Sequence, residues 1–306
     1  MPAVEEGSER TMKTQKKAID GYERVGAWTH IVETFQGIFR TPSAKAGGVI
    51  FAVIAIACIL APLIAPYDPI AMDLRNTYCK PCLQHLCGTD AMGRDIFSRL
   101  LYGGRYSLAL ALVADVFGHA CGVVVGSIAG YFGGKVEMII MRLCDIWSAI
   151  PGLLLTILIS QAFGSGFFNT VLALSVGGIA PGARLTRGQI LAERDKEYLE
   201  AAESINCSKL SIMFRHLLPN IIQPTIVGMT TGFGGTIINA SGLSYLGLGV
   251  QPPTPEWGAL LADGTGVVRT YPYVILFPGL IIGITVLAVN LMGDGIRDAL
   301  DPRLRQ

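Results

Sequence analysis

Charge is what this 306-residue chain has least of. Asp, Glu, Lys and Arg make up 15% of it, against about 25% in ordinary soluble domains. That shortfall argues against a water-soluble enzyme. Disorder is excluded as well, because disordered chains combine low hydrophobicity with high net charge, whereas 51% of this chain is hydrophobic. The 24 Lys and Arg nearly cancel the 23 Asp and Glu, so there is no basic footprint for nucleic acid. No G-x-x-x-x-G-K-[ST] run appears, and the chain does not itself bind ATP through a P-loop; H-E-x-x-H and G-x-S-x-G are missing too. What is present is apolar sequence with a mean hydropathy of +0.49, and 37 glycines without a collagen period. Glycine is more frequent in membrane helices than in soluble ones. These features describe an all-α integral membrane protein.

A transmembrane helix needs about 20 mainly apolar residues. Stretches free of Asp, Glu, Lys and Arg predict spans at 47–65, 146–163, 167–183, 221–246 and 273–292, and a sixth at 107–131 contains only Asp115. Gly164-Ser165-Gly166 is the expected turn between the third and fourth. With the N-terminus inside, the inner loops and tails carry 18 of the 24 Lys and Arg. That bias places both termini in the cytoplasm. The expected organisation is a cytoplasmic arm over 1–46 (amphipathic around 28–39), the first span, and an extracytoplasmic segment over 66–105. A five-helix core over 106–293 and a cytoplasmic tail over 294–306 complete it. The first apolar run lies behind a long charged arm, unlike a cleaved signal peptide.

The loop over 184–219 is the most patterned polar segment. Tyr198, Ala201, Ala202 and Ile205 recur at i, i+3, i+4, i+7, one helical face. Asn206 follows and tolerates the left-handed conformation that closes a helix. A second stripe runs Leu210, Met213, Phe214, Leu217, and Pro219 is expected to stop it. Interfacial helices usually carry Lys/Arg-rich polar faces; this first helix is acidic, with Glu197, Glu200 and Glu203. A protein partner is therefore the better reading than a lipid surface.

Glu200-Ala201-Ala202, three residues, Asn206, then Leu217-Leu218-Pro219-Asn220 resembles the EAA loop of ABC importer permeases. The run Gly88-Thr89-Asp90-Ala91-Met92-Gly93-Arg94-Asp95 is similar to the G-T-D-x-x-G-R-D of the second permease subunit in the dipeptide/oligopeptide/nickel importer family. Ala129-Gly130-Tyr131-Phe132-Gly133-Gly134, Leu243 to Val250, Glu256-Trp257-Gly258 and Gly293-Asp294-Gly295 agree with it. The resemblance runs from about Ala44 to Arg305, and the loop's usual glycine is Asn206 here. It implies a type I ABC importer transmembrane domain with six helices, and a di- or oligopeptide cargo, with nickel or a metal chelate as the alternative. Its partners would be a second permease subunit, two ATPase subunits and an extracytoplasmic binding protein. ATP and Mg would belong to the ATPase subunits, with no cofactor in this chain. The ATPase-coupling residues it implies are Tyr198, Glu200, Ala201, Ala202, Ile205, Asn206, Phe214, Leu218 and Pro219. An intramembrane enzyme or a receptor is the competing class.

Other residues read on their own terms. Gly122, Gly126 and Gly130 form a double G-x-x-x-G, a surface for close helix approach. Asp115 and His119 share a helical face; intramembrane ionisable groups face a bundle interior or a water-filled path, so a self-satisfied pair and a place in the translocation path both stand. Gln161, Asn169, Thr231 and Asn239 are further uncharged candidates for the path, with spans three and five facing the partner permease. Cys79, Cys82, His85 and Cys87 give C-x2-C-x2-H-x-C, types that suit zinc. A disulfide, a metal site and free thiols are all open there. Pro151, Pro181 and Pro278 are expected to kink or hinge their spans.

Overall fold

The computed structural model describes residues 41–300. The arm to residue 40, with its expected amphipathic stretch, and the tail from 301 lie outside the described residues. Among the described residues the regular structure is helical, apart from one isolated bridge between Thr89 and Asp95. The order is α1 (Pro42–Ile59), α2 (Ala61–Ile64), a 3₁₀ turn (Leu74–Asn76), α3 (Ile96–Phe132), α4 (Gly134–Ser148) and α5 (Gly152–Phe163). It continues with α6 (Phe167–Glu193), α7 (Glu197–Ser204), α8 (Lys209–Ser211), a π-helical turn (Ile212–Leu217), α9 (Leu218–Tyr245), α10 (Trp257–Thr265) and α11 (Tyr273–Leu300).

Among the described residues α1, α3 and α11 are each long and apolar enough to cross a membrane, and two bent helix pairs bring the number to five. The fourth expected span, 167–183, is the first half of α6, which is not among those five. The outward faces of the long helices remain apolar: Val49, Val53, Ile56 and Ile59 on α1 and Leu112, Val113, Val116 and Phe117 on α3 are exposed. A helix apolar on all sides belongs in lipid or a large core.

The structure corrects several boundaries. The second span begins at Ile96, eleven residues before the expected start, because Asp95 caps it by accepting the Ser98 N–H at 2.7 Å. The expected third span, 146–163, is not one straight helix: α4 and α5 meet at 88°. Pro151 stands at the break, since proline lacks an N–H and pushes its predecessor out of the helical region. Pro181 and Pro278 instead lie inside continuous helices. Pro219 does not stop the second stripe, because it occupies the first turn of α9, where a missing N–H costs nothing. A 56° bend comes at Pro224 instead. The helix α10 was not foreseen. Gly164 and Gly166, both with positive φ, do form the predicted turn between α5 and α6.

The α3–α6 contact is the most extensive between helices. A Cβ on Gly118 would come 2.6 Å from the Ser175 carbonyl, and one on Gly122 would come 2.9 Å from the Gly182 Cα. Gly126 and Gly130 press on Ala183, Thr186 and Ile190 in the same way. The predicted glycine surface is therefore real, and it extends one turn further to Gly118.

Candidate functional site

The 184–219 segment begins inside α6, which runs on to Glu193. Arg184 donates to Asp145 at 3.2 Å and to the Ser148 hydroxyl at 2.9 Å, and Arg187 Nε donates to Glu137 at 2.6 Å. These contacts fix α4 across α6. Beyond them α7 closes on Asn206, whose φ is +60°. Cys207 N–H donates to the Ala202 carbonyl at 3.1 Å, the six-to-one bond of a Schellman closure. Ser208 then caps α8 by accepting from Ser211 N–H at 3.3 Å. The predicted helix–turn–helix is present, with Asn206 in the predicted conformation.

Its buried face differs from the predicted stripe. Leu199 and Ala202 of α7 pack with Ile212, Leu217 and Ile221 against Ile190 of α6, and Tyr198 and Leu218 flank them. Ile205 is 76% exposed and Phe214 55% exposed, while Glu200 and Pro219 are also exposed. The stripe rule treats the helix as facing one partner. In the fold, the loop's own second helix takes the face that includes Leu199, and the π-turn rotates Ile212 inward and Phe214 outward. Ala201 lies on α7 between Glu200 and Ala202. Tyr198 OH donates to Glu193 at 3.1 Å and accepts from Asn220 at 3.3 Å. Burial pushes its phenol pKa up. Lys196 donates to Glu193 at 2.6 Å, and that bond raises the ammonium pKa. The result is a small, self-supported unit on which Glu200, Ile205 and Phe214 are each exposed.

Asp115 and His119 form one cluster between α3 and α9. Thr236 Oγ1 donates to Asp115 Oδ1 at 3.1 Å; His119 Nδ1 lies 3.0 Å from the Asp115 carbonyl and 3.5 Å from Oδ1. Asp115 also lines a largely apolar cavity of about 1070 Å³, along with Phe51, Arg105, Met229, Thr230 and Phe233. Gln161, Thr231 and Asn239 do not join it. Thr231 bonds back to its own helix at Val227, 3.0 Å away, and packs on Gly293 of α11. Gln161 and Asn239 are exposed, and Asn169 donates to the Phe163 carbonyl at 2.7 Å.

The four residues of the C-x2-C-x2-H-x-C run do not converge. His85 Nδ1 is 2.9 Å from Asp95, and Cys87 is buried against Ile96 and Trp257. No cluster of three or more metal-ligating side chains occurs among the described residues.

Residue-by-residue reading missed two polar knots near this end. Asp90, Arg94 and Arg99 are buried together, with Arg94 Nε donating to Asp90 at 2.7 Å and both arginines reaching Asp263 of α10. Glu256, 1% exposed, accepts from Ser107 Oγ at 2.7 Å and caps α10. Trp257, wholly buried, donates through Nε1 to the Leu100 carbonyl at 2.9 Å. The G-T-D-x-x-G-R-D and Glu-Trp-Gly motifs named Asp90, Arg94, Glu256 and Trp257 as family marks without saying that they meet Arg99, Asp263 and Ser107.

Comparison with known proteins places these features. Residues 122–306 match the family model described as binding-protein-dependent transport system inner membrane component. Residues 31–81 match the N-terminal TM domain of oligopeptide transport permease C. The glutathione transport system permease protein GsiD of Escherichia coli O6:K15:H31 is 43% identical over 267 residues, covering 87% of this chain and 88% of the relative. GsiD of Shigella boydii serotype 4 is similar to the same extent. Two inward-facing crystal forms of the MetNI methionine ABC transporter share the fold at 18% identity. Their TM-scores are 0.55 and 0.56, over 66% and 67% of this chain and 97% and 98% of theirs.

Proposed function

The chain belongs to the binding-protein-dependent transport system inner membrane components, the permease subunits of ABC importers, and we propose that its cargo is a small peptide. Its place is the inner membrane, as a multi-pass protein. Two relatives are glutathione transport permeases, and glutathione is itself a short peptide; the oligopeptide permease C match points the same way. No observation favours the nickel alternative.

The proposed assembly pairs this chain with a second permease, two ATPase subunits that hold ATP and Mg, and an extracytoplasmic binding protein. In the proposed topology, six spans with both termini in the cytoplasm, the 184–219 loop lies on the ATPase side. The observation that carries the coupling role is that Glu200, Ile205 and Phe214 stay exposed on a unit whose Leu199, Ala202, Ile212 and Leu217 are buried. Exposed apolar groups beside an acid suit a groove with an apolar floor and a basic rim. Glu200, Ile205 and Phe214 would enter that groove, while Tyr198, Ala202, Asn206 and Leu218 hold the shape, and the exposed Pro219 borders it. Asp115 and His119 line the proposed path.

Phe214→Asp and Ile205→Asp in the complete complex test this. The expected result is normal membrane insertion with loss of the copurifying ATPase, or ATP hydrolysis uncoupled from uptake. Full coupling in both variants overturns the assignment. Uptake of a labelled tripeptide, with nickel as the competing cargo, tests the substrate.

A further inference from the structure

We infer that Cys79 and Cys82 form a thiol–disulfide exchange site, with Cys82 as the attacking thiol, Cys79 as the resolving thiol, and small exposed disulfides as the reacting class. The inference rests on the local geometry of the 79–89 loop and not on which side of the membrane that loop faces.

Three observations separate this pair from the other cysteines. The first is accessibility: Cys82 is exposed, Cys79 half-buried and Cys87 buried. The second is spacing along one short turn of loop: Cys79 Sγ donates to the Lys80 carbonyl at 3.5 Å, inside the two-residue link to Cys82. Only Lys80 and Pro81 separate them, so closure needs no rearrangement of distant chain. The third is the bed under Cys82. His85 N–H donates to Cys82 Sγ at 3.4 Å, and Cys82 N–H donates to the His85 carbonyl at 2.9 Å. Backbone donors aimed at a sulfur favour its thiolate, the nucleophilic form.

The titration directions agree. Backbone hydrogen bonding lowers the Cys82 pKa, whereas partial burial and the neighbouring sulfur raise that of Cys79. Burial pushes the Cys87 thiol up to about 11, so Cys87 is a packing residue and a bystander. A zinc reading would need His85 and Cys87, yet one is held by Asp95 and the other lies in the core.

The exchange proceeds in two displacements. The Cys82 thiolate attacks one sulfur of an external disulfide R–S–S–R. A Cys82–S–S–R bond forms, the R–S–S–R bond breaks, and the first R–S⁻ leaves to take up a proton. Cys79, as thiolate, then attacks the Cys82 sulfur. The Cys79–Cys82 bond forms and the second R–S⁻ leaves. Two thiols are oxidised by two electrons and the external disulfide is reduced to two R–SH; the protons lost from the cysteines end on the products. The backbone anchors on either side are already made. Cys79 N–H donates to Thr89 Oγ1 at 2.8 Å, and Thr89 N–H donates to the Cys79 carbonyl at 3.0 Å.

The test treats the full-length protein in detergent at pH 7.5 with oxidised glutathione, and reads residues 76–94 by fragmentation mass spectrometry. Wild type is expected to lose two hydrogens through a link between residues 79 and 82. Cys79→Ser should trap a glutathione adduct on Cys82, and Cys82→Ser should react at Cys79 about tenfold more slowly or less. Cys87 should stay unmodified, and unchanged thermal unfolding of both variants shows that the loop is intact. A link that includes Cys87, no trapped adduct in Cys79→Ser, or equal rates in the two variants overturns the proposal. So does stoichiometric zinc binding that protects Cys79, Cys82 and Cys87 together.

Discussion

Ser107 Oγ donates to Glu256 Oε1 at 2.7 Å and accepts the Trp257 N–H at 3.0 Å, joining positions 149 residues apart in the chain. This one hydroxyl fixes the start of α10 against the first third of α3. Both residues are at most 2% exposed. Removing the hydroxyl strands a buried carboxylate oxygen and a buried N–H, a loss of about 1–3 kcal/mol for each unsatisfied group. Ser107→Ala should lower the thermal midpoint in detergent by several degrees, while Ser208→Ala, in an exposed cap, should lower it less. Equal effects would show that the buried bond carries no special weight.

The α3–α6 contact makes a second prediction. Gly122→Ala places a methyl 2.9 Å from the Gly182 Cα, backbone that cannot turn aside. Gly177→Ala, five residues before Gly182 on α6, meets nothing within 4 Å. Fluorescence-detected size exclusion after heating should show the first variant markedly less stable and the second unchanged.

Asn206 gives a third. At φ +60° a non-glycine residue costs roughly 1 kcal/mol that glycine does not. Asn206→Gly should leave coupling intact and stabilise the loop slightly, whereas Asn206→Val should destabilise it against limited proteolysis. If valine is tolerated as well as glycine, the left-handed closure is not needed.

The path residues divide into two groups. Thr231 is exposed, yet its backbone and Cγ2 abut Gly293 of α11, so Thr231→Trp should lose folded protein. Asn239 is exposed, so Asn239→Trp should retain assembly and ATPase content while stopping uptake. Helix–helix hydrogen bonds in membranes average only about 0.6 kcal/mol, too little for loss of one to dissolve the complex. Failure of Asn239→Trp to assemble would place that residue in packing instead.

Orientation can be read directly by impermeant cysteine labelling in a background without native cysteines. Single cysteines within 77–84 and 249–257 should label in intact cells, and those within 187–211 only after permeabilisation. Labelling of 187–211 in intact cells would reverse the proposed topology.

What the sequence determined by itself is what depends on neighbours along the chain. Lack of charge marks membrane helices, glycines four apart mark a close helix contact, and asparagine after an acidic helix marks a left-handed closure. Each is a local rule, and each is seen in the structure. The tertiary structure alone decided which apolar face a helix hides. Leu199 lies inside and Ile205 outside because α7 folds back on its own second helix and the π-turn resets the register. It also decided where proline breaks a span. Pro151 does, whereas Pro181 and Pro278 do not, because packing around a helix can supply what the missing N–H takes away. Likewise the pairing of Ser107 with Glu256, and the separation of Cys82 from Cys87, follow from where distant segments come to rest. No spacing rule along one chain encodes that.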